Sequence, residues 1–435
     1  MQSQKSFRRE YKKEAFSMHT RKILLFTVLL LMAPVLATAS TARLDGLGVI
    51  PTFVDDYANI FAYPVSVTRF PGVVIGELGS MSTDGLWGRG FGLTMGLGQD
   101  NAYGVFGMML RENSWFPNVP DMAGERGTQF DLLWGMNFGK ASLGVRLDRT
   151  SSELEFVDGP TWSPLFLYTW GGAEPDVNEF NTTGFGLSAE MQVREADRLE
   201  ATFEYRTLSF QLCGIFTDPD AKLEDKGQPS YSVTGRGFFA MAENMTLVPM
   251  VQYLKADYSW EFKSAAATNP SADKTATGIT AGIGCKVDVG SFFMFGLGFS
   301  QWTDKGDYSG ITAGTESYEF KSTSLPFFFG CLETPVKDWL TVRFGARKNL
   351  INQDVVIEDF DGTKVEYKSK NGIIPMFDFV PPYGEPFCFS MGLGFKFGDL
   401  DLDATLNDSY PFTGMYWLSG VSETPFGRIS ATYHY

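Results

Sequence analysis

The feature that most constrains this chain is the order of its connections. Segments in which apolar and polar side chains alternate are joined by short and long stretches in strict turn. The short ones are QDN (99–101), GK (139–140), READ (194–197), AEN (242–244), DVG (288–290), TPVKD (334–338) and GD (398–399). The long ones fall near 82–89, 113–126, 153–180, 212–228, 263–274, 305–315, 356–385 and 409–426. A period of two marks strands with two unlike faces. Short turns on one side and long loops on the other are the layout of a transmembrane β-barrel. A soluble sandwich of two sheets gives no reason to keep every long loop at one end.

The spacing predicts sixteen strands, at 73–81, 90–98, 102–112, 127–138, 141–152, 181–193, 198–211, 229–241, 245–262, 275–287, 291–304, 316–332, 339–355, 386–397, 400–408 and 427–435. The expected fold class is therefore all-β, an antiparallel transmembrane barrel. Two hairpins fix their own register. With Gly139-Lys140 as the turn, Met136 faces Leu143 and Trp134 faces Val145. With Gly398-Asp399 as the turn, Phe395 faces Leu402 and Lys396 faces Asp401, an opposite-charge pair. Turn length sets register in a hairpin, and both registers place the apolar side chains on one face. The aliphatic and aromatic faces are expected to meet lipid. Trp87, Trp115, Trp260, Trp302 and Trp339 fall at or near predicted strand ends, as an interfacial girdle would.

The front of the chain reads as an export leader. Arg21 and Lys22 precede an apolar stretch from Ile23 to Leu36 and the small residues Ala37-Thr38-Ala39. That is the three-part form of a secretory signal peptide, with cleavage after Ala39 and Met18 as a second candidate start. The apolar stretch is short for a helix spanning a bilayer, which needs ~20 residues. Residues 40–435 contain no second long apolar run. The net charge is −15, and removing residues 1–39 leaves 29 Lys/Arg against 49 Asp/Glu, or −20. Nucleic acid is not an expected partner for such a chain. Cys213, Cys285, Cys331 and Cys388 show no C-x-x-C spacing. They read as scattered apolar side chains or as one or two disulfides, with no metal site and no cofactor.

Both termini of the mature chain hold further signals. The strand GRISATYHY places Ile429, Ala431, Tyr433 and Tyr435 on one face. A closed barrel pairs this strand with the one at 73–81. Its alternation and aromatic end resemble the C-terminal insertion signal of bacterial outer-membrane proteins, which implies the barrel-insertion machinery as a partner. Residues 40–72 are not strand-like. They carry Gly46, Gly48 and Pro51, then Asp55-Asp56, Asn59 and Tyr63-Pro64-Val65. This resembles the N-terminal signature of FadL-type transporters of long-chain fatty acids and other hydrophobic compounds. Tyr63-Pro64-Val65 stands where that family has asparagine-proline-alanine. The resemblance implies a hatch or plug inside the barrel and a count of fourteen strands. Read from residues alone, the alternative for 40–72 is a short periplasmic linker. The organisation is then a signal peptide (1–39), a plug-like segment (40–72) and an outer-membrane barrel (73–435).

The faces opposite the lipid are expected to line the lumen. They include Arg146, Glu204, Arg206, Lys255, Asp257, Arg343, Lys396, Asp401 and Asp403, with Asp131, Asp148 and Glu200 beside them. A barrel of ~16 strands is wide enough to hold water unless something fills it. The loop 153–180 combines carboxylates with Phe156, Trp162, Phe166, Tyr168 and Trp170 and has no Lys or Arg. It reads as a solute-capturing loop or as a self-packed surface loop that meets lipopolysaccharide. Catalysis of the Ser-His type needs a placed histidine. The two histidines are His19, in the leader, and His434, at the short-turn end, so no enzyme is expected. The expectation is an outer-membrane channel for passive passage of a small solute, hydrophobic by the resemblance. Its alternatives are a non-transporting barrel partner of a secretion system and a plain aqueous porin.

Overall fold

A computed structural model describes residues 41–79, 89–112, 128–155, 177–213, 222–263, 270–310, 315–371, 386–406 and 426–435. The leader, the girdle candidates Trp87 and Trp115, and the loop residues Trp162, Phe166 and Trp170 lie outside these. One short helix, α1 (Thr41–Leu47), is followed by 3-10 turns at Pro51–Phe53, Tyr57–Ile60 and Pro64–Arg69. The strands are β1 (Val73–Gly79), β2 (Gly90–Gly96), β3 (Val105–Glu112), β4 (Thr128–Asn137), β5 (Ala141–Glu155), β6 (Val177–Gln192), β7 (Arg198–Cys213), β8 (Lys222–Asp225), β9 (Pro229–Ala242) and β10 (Met245–Asp257). They continue with β11 (Trp260–Lys263), β12 (Ser271–Asp288), β13 (Phe292–Ser309), β14 (Thr315–Lys337), β15 (Leu340–Asp359), β16 (Lys364–Lys370), β17 (Phe387–Phe397), β18 (Leu400–Leu406) and β19 (Phe426–His434).

Sixteen of these strands form a closed antiparallel barrel. Each pairs with its neighbours in sequence, and β1 pairs with β19 from Val73↔His434 to Gly79↔Arg428. Closure leaves no free edge in the wall. The remaining three, β8, β11 and β16, extend the wall at the long-loop end. The stretches 212–228 and 356–385, expected as loops, therefore contain strand. The segment 245–262, expected as one strand, breaks at Tyr258-Ser259. Both hairpin registers are as the sequence predicts: Met136↔Leu143, Trp134↔Val145, Phe395↔Leu402 and Lys396↔Asp401.

Large apolar side chains cover the outside of the barrel, among them Leu147, Phe185, Val251, Ile279, Phe295, Leu297 and Phe344. Such a belt is stable only against lipid, which makes this the architecture of an outer-membrane barrel. At the short-turn end Phe138, Trp339, Phe397, Tyr433 and Tyr435 are exposed, where an aromatic girdle belongs. Ile429 and Tyr433 share one face of β19. Tyr435 donates its backbone N–H to Gly72 O at 2.9 Å and its hydroxyl to Thr94 O at 3.0 Å.

In β10 and β13, side chains stand on the opposite face from the one expected. Trp302 is 4% exposed and lies inside the barrel, not in a girdle. Lys255 points outward, in phase with the exposed Val251, while Leu254 and Ala256 point in. The cause is the same for both: this part of the lumen is apolar, so an apolar face does not mark lipid there. Asp257 shares the register of Lys255 and ends the strand, where its carboxylate accepts from Ser259 N at 3.2 Å.

Candidate functional site: a divided lumen

Residues 41–71 lie across the inside of the barrel at its short-turn end. α1 packs against β15, β17 and β18, and the 64–69 turn packs against β4, β5 and β6 on the far wall. Local chemistry shapes the segment. The Asp56 side chain accepts from Ala58 N at 3.0 Å and caps the Tyr57–Ile60 turn. Asn59 Nδ2 donates to Val54 O at 2.6 Å. Pro64 opens the last turn, where a missing N–H costs nothing. Leu47, Ile50 and Phe53 join Val248, Met294 and Phe329 of the wall in one buried cluster, and Ile60 and Val67 join Val105 and Leu133 in another.

The wall has room for this segment because glycine stands where backbones meet. A Cβ on Gly345 would fall 1.7 Å from Leu47 O, and one on Gly144 would fall 2.1 Å from Val65 N. The wall also satisfies the segment's backbone. Arg236 Nη1 donates to Thr52 O (3.0 Å) and Val54 O (2.9 Å), and Arg146 Nη1 to Phe61 O (2.8 Å). Ser188 Oγ accepts from Val65 N at 2.6 Å. These are obligatory partners, since a buried carbonyl or amide must be paired.

Charged side chains form three networks around the segment. In the first, Arg146 meets Asp131 (2.8 Å), Glu204 (3.2 Å) and Asp148 (3.3 Å), and Arg206 meets Asp148 (2.8 Å). In the second, Glu200 holds Arg236 (2.7 Å), Arg198 (2.9 Å) and Arg69 (3.1 Å). Asp55 pairs with Arg69 (3.0 Å) and with Arg198. The ring of the fully buried Tyr63 lies 3.9 Å beneath the Arg236 guanidinium. In the third, Arg43 pairs with Asp56 and with Glu333 (2.8 Å), and Arg343 bonds Glu333 and Asp403 (2.6 Å). Burial works against the Arg43 charge, but Asp56 and Glu333 outweigh it and raise its pKa well above the usual arginine range.

The segment also bridges the closing seam. Thr41 bonds Glu77 of β1, and on β19 Ala42 N donates to Ser430 Oγ (2.9 Å), Tyr57 bonds Thr432, and Asp45 pairs with Arg428 (2.7 Å).

Of the residues singled out by sequence, Asp55, Asp56, Asn59, Tyr63, Pro64, Arg146, Glu204, Arg206, Arg343 and Asp403 come together here. Lys396 and Asp401 pair at 3.9 Å on the short-turn rim, with His434 3.3 Å from Asp401. Sequence reasoning passed over Arg43, Arg69, Arg236 and Glu333. Arg236 sits among the inward Ser230, Ser232 and Thr234, a polar face that could have marked it.

The other half of the lumen, toward the long loops, is different. Leu254 and Ala256 of β10, Ala276 of β12, Trp302 of β13, Phe320 of β14 and Val355 of β15 form a buried apolar cluster. Tyr258 joins it and bonds Asp304.

Fold and lumen together define a class: a transmembrane β-barrel with residues 41–71 packed against the inside of its short-turn half. No family model and no curated protein matches the chain. Among solved structures it is similar to a FadL homologue from Pseudomonas aeruginosa, at 11% identity and a TM-score of 0.41, over 92% of this chain and 98% of that one. It is similar to a deltaS2S3 mutant of the TodX monoaromatic hydrocarbon channel at 10% identity and a TM-score of 0.38, over 91% and 96%. It is also similar to the siderophore receptor PiuA from Acinetobacter baumannii at 9% identity and a TM-score of 0.37, covering 69% of this chain and spanning 53% of that one.

Proposed function

We propose that this chain is an outer-membrane channel for passive passage of small hydrophobic solutes, with residues 41–71 as its plug. One observation carries the reading: an apolar cluster inside the lumen, at the long-loop end, above a segment that fills the other half. A water-filled porin has no use for an apolar lumen. A solute would enter between the long loops, settle on this cluster, and leave once the plug shifts. The lumen carboxylates and arginines serve the plug. They pair with one another, and no three His, Cys, Asp or Glu side chains among the described residues are grouped to hold a metal.

The test is conductance and solute flux of the mature protein in planar bilayers and liposomes, intact and with residues 41–70 deleted. The reading expects little conductance from the intact barrel, a rise on deletion, and flux of a hydrophobic solute through the intact protein. Large steady conductance from the intact protein would overturn it in favour of an open porin. Silence from both proteins, with no flux, would overturn it in favour of a scaffold.

A further inference from the structure

The apolar half of the lumen holds polar groups that its own side chains leave unsatisfied. Asp304 is 0% exposed. Its neighbours across the sheet are Ala276 and Phe320, both members of the apolar cluster. Oδ1 accepts from Tyr258 and, at 3.2 Å, from Tyr318, while Oδ2 has no hydrogen-bond partner. Ser322 and Ser324 face the same interior from β14, opposite Trp302 and Ser300, and their hydroxyls have none either. The Lys274 ammonium lies 5.9, 5.5 and 5.7 Å from the rings of Tyr258, Tyr308 and Tyr318. Interiors rarely leave such groups without partners, and each one calls for a reason.

We propose that this half of the lumen binds an apolar solute that carries a hydroxyl group, an alcohol or a phenol. The inference rests on the channel reading above and names the solute class for it. A hydroxyl donates to Asp304 Oδ2, and its oxygen accepts from Ser322 or Ser324. The hydrocarbon body lies against Trp302, Phe320 and Leu254. A pure hydrocarbon answers none of the three polar groups and would seal them away from water. A carboxylate would bring a second negative charge beside Asp304. Lys274 pulls the other way, toward a carboxylate, so the test must separate the two. A site built to bond a hydroxyl rejects the analogue that lacks it far more strongly than an apolar site rejects a missing methylene.

The probes are p-cresol, toluene and p-toluate, which share one ring. Their binding to the mature protein in nanodiscs is measured by calorimetry, and their flux into proteoliposomes is measured in parallel. The expected result is p-cresol tighter than toluene and than p-toluate by at least about ten-fold. The paired substitution Ser322→Ala with Ser324→Ala, and separately Asp304→Leu, should bring p-cresol to within about two-fold of toluene. The serine pair is small enough to spare the fold if Asp304→Leu does not. Equal binding of toluene and p-cresol to the unaltered protein would overturn the inference, since water would then suffice for Asp304, and would leave the channel standing. Tightest binding of p-toluate would overturn it in favour of a Lys274 anion site. Absence of both binding and flux for all three would overturn the channel reading itself.

Discussion

The two halves of the lumen are built on opposite principles. Toward the short turns, arginines and carboxylates are matched almost one for one, and even Arg236 and Glu200, each with a 0% exposed side chain, face each other at 2.7 Å. Toward the long loops the inward side chains are mostly apolar, and Asp304 Oδ2 and the hydroxyls of Ser322 and Ser324 lack hydrogen-bond partners. The first half ties the segment to the wall by paired charges, although Arg69 Nε, Gln129 Oε1 and Thr202 Oγ1 have no hydrogen-bond partner there. The second presents apolar side chains around a few polar atoms, Asp304 Oδ2 among them. A buried charged network fixes one arrangement, and an apolar lining with a few polar groups is the usual make-up of a ligand site.

That contrast can be broken from either side. The largest effect should come from Arg236→Leu, which takes from Glu200 its most deeply buried partner, leaving Arg198 and Arg69, and removes the side-chain donor to the carbonyls of Thr52 and Val54. About 4 kcal/mol of stability should be lost, by the usual cost of breaking a buried pair, read as the denaturant midpoint of the refolded barrel. Adding Glu200→Leu should recover part of it, because removing both charges is far cheaper than removing one. Next is Leu254→Ala in the apolar half, expected to cost about 3 kcal/mol through the cavity it leaves, with no change in conductance. A similar conductance change in both variants would mean that the halves are not separate. Gly144→Ala forces a Cβ into Val65 and should cost about 2 kcal/mol by overpacking, with raised conductance or faster proteolysis within 41–71 as its signature. Smallest is Lys305→Ala. Its pair with Glu319 at 2.9 Å is about half exposed on both sides, so the loss should stay below about 1 kcal/mol.

Much of the wall was legible because strand periodicity and turn length are local. The hairpin at Gly139-Lys140 and the closing pair of strands follow from alternation alone. What alternation does not reveal is which face is which when both the lumen and the lipid are apolar, and Lys255 and Trp302 are the outcome. Irregularities are silent too. The register shift between Ser324 and Phe327 moves the inward side chains from Ser322 and Ser324 to Phe327 and Phe329, and nothing in a period of two announces it. Within the segment, Gly46, Asp55 and Asp56 stood out by type. Their partners, Gly392 of the wall, Arg198 and Arg43, are set by three-dimensional placement. Arg236 was passed over because one arginine between glycines reads as solvated until the carbonyls it serves are seen.

The bridged seam bears on the order in which the molecule assembles. β1 and β19 must find each other across nearly the whole chain, and the Ala42–Ser430 contact alone spans 388 positions. Contacts so distant in sequence are slow to form, because the chain between them must be ordered first. Residues 41–71 adjoin β1 directly and offer β19 a ready surface: Ala42, Asp45 and Tyr57 meet Ser430, Arg428 and Thr432. The last strand therefore docks on a broad landing site that its partner carries with it. The segment that lies inside the finished barrel is also a clasp across its closing seam.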